Sequence, residues 1–175
     1  MLTQVKNINF METKLFSIVG RSGSGKTTLI TRLIPSFVGL GLKVGSIKHT
    51  HHDVVLDKPG KDSWKHEQAG SSQVLLITND RMALFGKFDK ETSLFDISNQ
   101  WFKGFDLVIS EGFKNQDGLK IEVTRKENNR SPLFTNPDYN IQAIVSDYEL
   151  ESSLPVFDTN DTQSIFGWIR QQLGI

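Results

Sequence analysis

The sequence contains no cysteine, which excludes disulfide bonds and thiolate metal sites. It also carries no net charge, because 20 Lys and Arg residues balance 20 Asp and Glu residues. Domains that bind nucleic acid through bulk charge are usually basic, so we expect no nucleic-acid partner. Any site for an anion must therefore be built locally, from a few residues.

Long apolar runs are also missing. No segment approaches the ~20 apolar residues that a membrane-spanning helix needs. The first 14 residues lack the apolar centre of a signal peptide. We therefore expect a cytoplasmic protein that does not associate with membranes. We expect residues 1–10 to be an N-terminal extension and residues 11–175 to form one domain, since the length suits a single domain.

Apolar segments alternate with amphipathic ones along the chain. Segments rich in Val, Ile, Leu and Phe predict seven strands, at residues 14–20, 42–49, 73–78, 81–86, 105–112, 119–125 and 141–147. Helical patterns cover residues 25–41, 63–71, 93–102 and 162–173, with Ser63 expected to cap the second. Alternating strands and helices predict an α/β fold. Some strands are near-continuous apolar runs, which favours a mainly parallel sheet covered on both faces. The less regular stretch of residues 84–140 is expected to add some antiparallel strands and a long loop.

The stretch "GRSGSGKTT", residues 20–28, follows the first predicted strand and opens the first predicted helix. It has the full P-loop spacing G-x-x-x-x-G-K-[ST] in the required structural context. Glycines let the backbone curl its N–H groups around phosphates, and the helix N-terminus adds a positive dipole end. The candidate nucleotide-binding residues here are Gly20, Ser22, Gly23, Ser24, Gly25, Lys26, Thr27 and Thr28. The motif predicts a P-loop NTPase-like three-layer sandwich that binds a nucleoside triphosphate.

A P-loop also needs a carboxylate at the tip of a neighbouring strand, and "FDLVISEGF" supplies Glu111 after a buried strand. Ligands of open α/β sheets bind along that edge. We expect Thr27 and Glu111 to hold Mg²⁺, and Lys26 and Glu111 to be the catalytic pair if the chain hydrolyses its nucleotide. The alternative for Glu111 is a solvated residue at the end of a strand.

Residues 48–63, "KHTHHDVVLDKPGKDS", concentrate polar side chains after the second predicted strand. The candidate ligand-binding residues are His49, His51, Asp53, Lys58 and Lys61, accompanied by His52 and Asp57. Imidazole and carboxylate suit a transition metal, and the same set could recognise an anionic heteroaromatic ligand. No helical H-x-x-x-H spacing supports chelation, so a solvated loop is favoured over a metal site. The Pro-Gly pair at 59–60 could hinge a lid.

The sequence offers two aspartates for recognition of the base. A guanine-specific aspartate accepts from two donors that adenine cannot match. "GKFD", residues 86–89, resembles part of the GTPase signature N-K-x-D but lacks its Asn, and Asp147 ends another buried strand. Either could be an ordinary turn residue, so the residues alone leave GTP and ATP open.

Taken together, "GRSGSGKTTLITRLIP", "GSIKHTHHD", "DKPGKDSW", "EQAGSSQ" and "DLVISEGFK" resemble the signatures of the MobB family of molybdopterin-guanine dinucleotide biosynthesis proteins. The likeness runs from about residue 15 to residue 120. It implies a cytoplasmic, homodimeric GTP-binding protein with Mg²⁺ as cofactor and weak GTPase activity at most. It also implies the partners molybdopterin and a MobA-like guanylyltransferase, which joins GMP from GTP to molybdopterin. The alternatives are a small-molecule kinase and a metal-delivery NTPase.

Overall fold

The structure, a computed structural model, describes residues 13–50, 54–89 and 91–175. The chain forms two compact units: Met1–His49 with Ser93–Ile175, and Thr50–Thr92. The proposed extension at residues 1–10 lies outside the described residues. The strands are β1 (Lys14–Val19), β2 (Val44–Lys48), β3 (Gln73–Ile77), β4 (Met82–Gly86), β5 (Leu107–Glu111), β6 (Leu119–Thr124), β7 (Ala143–Ser146) and β8 (Val156–Asp158). The helices are α1 (Lys26–Gly39), α2 (Asp62–Gln68), α3 (Leu94–Trp101) and α4 (Thr162–Leu173).

The first unit is built on a six-stranded sheet in the order β2-β5-β1-β6-β7-β8. Every neighbouring pair in it is parallel. In the second unit, β3 and β4 form a separate antiparallel pair, and α2 precedes them along the chain. The α/β prediction, with a mainly parallel sheet and some antiparallel strands in a P-loop NTPase-like fold, is confirmed. All seven predicted strands form, and the short β8 is an additional one.

One face of the large sheet is apolar and packs against α1 and α4. Helix α1 buries Leu33 and Phe37 completely, and α4 buries Ile165 and Ile169 in the same cluster. Full burial of such a side chain contributes roughly 1.5–3 kcal/mol. This cluster therefore fixes α1, and with it the loop that precedes α1, over the end of β1.

The opposite face of the sheet is partly polar, unlike the fully apolar strands that the sequence suggested. The hydroxyl of Ser110 donates to that of Ser17 at 2.6 Å inside the sheet. Lys120 and Glu122 are buried on β6. Both oxygens of Glu122 accept backbone N–H groups, from Leu133 at 2.6 Å and from Phe134 at 2.8 Å. These bonds hold the irregular segment after β6 against the sheet.

One helix has a serine cap that was not predicted, and the one cap that was predicted does not form. Ser93 caps α3, since its hydroxyl accepts the N–H of Asp96 at 3.1 Å. The expectation that Ser63 caps α2 is wrong: Lys61 occupies the N-cap position, and Ser63 is buried as the second residue of the helix.

Among the residues that the structure describes, no helix is long and apolar enough to cross a membrane.

Candidate nucleotide-binding site

The P-loop motif connects β1 to α1, as its sequence context predicts. Gly20, Gly23 and Gly25 have φ values of 144°, 78° and 93°, in the region that favours glycine. A side chain on Gly20 would overlap the carbonyl oxygen of Val123 on the neighbouring strand. Helix α1 begins at Lys26, with Gly25 as its N-cap. The loop therefore directs the free N–H groups of the first helical turn toward the carboxyl edge of the sheet, where an anion can accept them.

Lys26 folds back over this loop. Its ammonium donates to the carbonyls of Gly20 at 3.1 Å and Arg21 at 2.8 Å. Burial lowers its pKa, while Glu111 partly opposes that shift and Lys48 adds to it. An ammonium has three N–H donors, so one remains for a phosphate. Because burial disfavours the charged form here, an incoming anion would stabilise it.

Glu111 lies in a polar cluster beside the loop, at the ends of β1, β2 and β5. Its Oε2 accepts the hydroxyl of Thr27 at 2.8 Å. Its Oε1 lies 3.2 Å from the ammonium of Lys48, and the glutamate side chain is only 12% exposed. The register explains the arrangement, since Glu111 on β5 pairs with Ile18 on β1 and with Lys48 on β2. Thr27 and Glu111, both proposed for the metal, thus lie in direct contact, and their oxygen atoms are the hard donors that Mg²⁺ prefers.

The remaining polar residues of the motif are split between surface and interior. Ser22 and Thr28 are exposed. Ser24 is fully buried, and its Oγ has no partner among the described residues. Buried hydroxyls without partners are rare in proteins. Because this oxygen is fully buried, only a rearrangement of the loop would bring it to a partner.

The histidine-rich segment is divided between the two units. His49 follows β2, and its ring packs on that of Phe113 with centroids 4.8 Å apart. Lys58 and Lys61 are exposed in the second unit, where Lys61 occupies the N-cap position of α2 without a side-chain capping bond. The other candidates, His51, His52 and Asp53, lie outside the described residues. No group of three metal-ligating side chains occurs within residues 13–50, 54–89 and 91–175.

The two aspartates considered for base recognition have different surroundings. Asp89 lies in a turn, where its carboxylate accepts the N–H of Glu91 at 3.0 Å. Asp147 follows β7 and accepts the N–H of Lys126 at 2.9 Å. It also lines a shallow cavity of about 300 Å³ with Tyr148, Glu149 and the three residues of β8. Asp147 is on the carboxyl edge of the sheet that carries the P-loop, whereas Asp89 belongs to the second unit.

Two basic residues at this edge were not among the sequence candidates. Lys48 ends β2 and pairs with Glu111, and Arg125 follows β6 directly and lies against Gly25. Both belong to segments that were already predicted as strands. The rule that ligands bind at the carboxyl edge could therefore have singled them out.

This chain resembles one protein family and several known proteins. A family model, "Molybdopterin guanine dinucleotide synthesis protein B" (MobB), matches residues 15–147. A molybdopterin-guanine dinucleotide biosynthesis adapter protein of Haemophilus influenzae is 39% identical over 160 residues, which cover 91% of this chain and 89% of that protein. The adapter protein of the same name from Escherichia coli is 35% identical over 167 residues, 91% of this chain and 95% of that protein. A crystal structure of molybdopterin-guanine biosynthesis protein B superposes with a TM-score of 0.73 at 29% identity, covering 91% and 99% of the two chains.

Proposed function

The chain belongs to the family of molybdopterin guanine dinucleotide synthesis protein B, and from this premise we propose that it binds GTP with Mg²⁺ and assists the attachment of GMP to molybdopterin. Its relatives are named as adapter proteins of molybdopterin-guanine dinucleotide biosynthesis. An adapter presents a substrate or positions a partner, and the chemistry belongs to the partner. The proposed partner is a MobA-like guanylyltransferase.

The single observation that carries GTP–Mg²⁺ binding is the contact between Thr27 and Glu111 at the mouth of the P-loop, 2.8 Å between oxygens. In P-loop proteins the hydroxyl at this position binds Mg²⁺, the loop N–H groups surround the phosphates, and the lysine reaches the β- and γ-phosphates. Bound there, Mg²⁺ would neutralise phosphate charge. Lys26 would donate its remaining N–H to a phosphate oxygen, and the hydroxyl of Thr27 would turn from the carboxylate to the metal.

Slow hydrolysis at most is the expected behaviour of this arrangement. Glu111 is the carboxylate that could orient an attacking water. The ammonium of Lys48, 3.2 Å from Oε1, competes for that carboxylate. With Oε1 held by Lys48 and Oε2 bonded to Thr27, both oxygens of this carboxylate are already engaged, and these partners compete with a water for it. We therefore propose that the chain retains its nucleotide long enough to act with a partner, rather than turning it over.

Guanine selectivity is assigned to Asp147. A carboxylate can accept from both N1–H and the exocyclic amine of guanine, a pair that adenine lacks. The cavity beside Asp147, about 300 Å³, has room for part of a base. The aspartate is anchored by its bond to the backbone of Lys126, which would hold the carboxylate in a fixed orientation.

Molybdopterin is assigned to Lys58 and Lys61. Molybdopterin carries a phosphate, for which an exposed ammonium is a suitable point charge. Both lysines are exposed beside the start of α2. The homodimer and the cytoplasmic location are part of the same proposal. The apolar side chains of Leu76, Ile77 and Met82 on the β3–β4 pair are exposed, and such a patch favours association with a second copy.

Reconstitution tests the adapter role. Wild type and the double variant Lys58→Ala, Lys61→Ala are added to a MobA-like guanylyltransferase with molybdopterin and GTP, and formation of the guanine dinucleotide is measured. We expect wild type to stimulate the reaction and the double variant to stimulate it less, while its binding of GTP alone is unchanged. The exposed Lys103 offers a matched control. No stimulation by wild type would reject the adapter role, and normal stimulation by the double variant would reject the assignment of molybdopterin.

A further inference from the structure

A cationic side chain lies on the side of the P-loop that faces away from Glu111. In the sheet, β1 lies between β5, which carries Glu111, and β6. Arg125 follows β6 directly. A Cβ built on Gly25 would come within 3.1 Å of Nη2 and 3.2 Å of Nε of this arginine. The guanidinium therefore lies against the N-terminus of α1.

The donors of Arg125 are only partly used. Its Nη1 donates to Glu127 at 3.3 Å, an exposed contact. Its Nε is buried and has no partner among the described residues, although the side chain as a whole is 35% exposed. A cation beside the positive end of a helix is unfavourable on its own. An anion at this point would satisfy the guanidinium and the helix together.

Asn128 adds a second unused donor on the same segment. Its Oδ1 lies 3.5 Å from the position of a Cβ on Gly23, and its Nδ2 is buried without a partner among the described residues. The segment itself is held in place by backbone bonds. The N–H of Asn128 donates to the carbonyl of Arg125 at 3.1 Å, and that of Lys126 donates to Asp147 at 2.9 Å. The two side chains are thus presented to the loop by a fixed backbone.

We propose that Arg125, supported by Asn128, binds the α-phosphate side of the bound nucleotide, an inference that rests on nucleotide binding at the P-loop. The lysine and the metal of a P-loop serve the β- and γ-phosphates, and here Thr27 and Glu111 mark that end on the β5 side. Arg125 is on the β6 side, where the chain of phosphates continues toward the nucleoside. A planar guanidinium donates two parallel N–H bonds to a phosphate, which a lysine cannot. Arg125 also lies on the side of the P-loop toward Asp147, which follows β7, the strand next to β6.

The test compares dissociation constants for GTP, GDP and GMP. Arg125→Ala is expected to weaken the binding of GTP, GDP and GMP, which all carry the α-phosphate, by the same factor, about tenfold to a hundredfold, the range of one charge-assisted hydrogen bond. Lys26→Ala is expected to weaken GTP more than GDP, because it serves the other end of the phosphates. Arg130→Ala is the matched control, an exposed arginine on the same segment, and should bind like wild type.

If Arg125→Ala does not fold, Arg125→Lys tests the role of Arg125 in its place. It keeps the charge but not the paired donors, so it should lose part of the affinity, again equally for GTP, GDP and GMP. A folded Arg125 variant that binds like Arg130→Ala would overturn this inference, as would a loss confined to GTP. Failure of wild type to bind any of the three nucleotides would instead reject the proposed function.

Discussion

Glu111→Gln separates a metal role of this glutamate from a structural one. The amide keeps the size of the side chain but removes the charge that faces Thr27 and Lys48. The ion pair with Lys48 is 3.2 Å long and involves a lysine that is 61% exposed. Its loss should therefore change the free energy of unfolding by at most about 1 kcal/mol. The effect on Mg²⁺ should be larger, since removing a group that orients a metal ligand typically costs about 10- to 100-fold in metal affinity.

The assay is a titration of GTP binding with Mg²⁺, together with urea denaturation of the same preparations. We expect the half-saturating Mg²⁺ concentration for GTP to rise by about tenfold or more in Glu111→Gln. The exposed Glu151, in the same unit, offers the control Glu151→Gln, which should behave like wild type. A folded Glu111→Gln protein with unchanged Mg²⁺ dependence would refute the metal role of this side chain.

Two further substitutions test other parts of the account. Lys26→Ala should weaken GTP binding by about ten- to a hundredfold, because one charge-assisted bond is lost, and its free energy of unfolding should stay close to that of wild type. Calorimetry measures the affinity and denaturation measures the stability. An unchanged affinity for GTP would contradict the P-loop assignment. Burial raises the pKa of Glu122 by more than the N–H bonds from Leu133 and Phe134 lower it. Between the unfolded pKa and this raised pKa, the folded protein holds a proton that the unfolded chain releases, so wild type loses stability as pH rises through that range. The glutamine of Glu122→Gln does not titrate. Denaturation across that pH range should therefore show the variant becoming more stable relative to wild type as pH rises. A difference in unfolding free energy that does not change with pH would contradict the raised pKa of Glu122.

The P-loop was predictable because its information is local. Three glycines, Lys26 and Thr27 stand at fixed spacing between an apolar strand and an amphipathic helix. The structure places them as that spacing requires, with Gly20 packed too closely on Val123 for any side chain. Glu111 was predictable for a related reason, since any residue at the carboxyl end of a parallel strand reaches the same edge.

The contacts that the basic residues of the site make were harder to predict, because these contacts depend on strand order. Lys48 meets Glu111 only because β2 and β5 are neighbours, and Arg125 meets Gly25 only because β6 lies beside β1. Strand order is set by long-range packing, which no short motif records. The burial of Glu122 was equally hard to predict, since the sequence of its strand indicates an apolar environment. Its carboxylate is stabilised by N–H groups that lie 11 and 12 residues further along the chain.

Nucleotide binding itself is measured most directly by calorimetric titration of the purified chain with GTP, GDP and ATP, each with and without Mg²⁺. We expect one GTP to bind per chain, more tightly with Mg²⁺ than without it and more tightly than ATP, and more weakly in Lys26→Ala. Absence of binding by every nucleoside triphosphate, or binding that is the same in Lys26→Ala as in wild type, would contradict it.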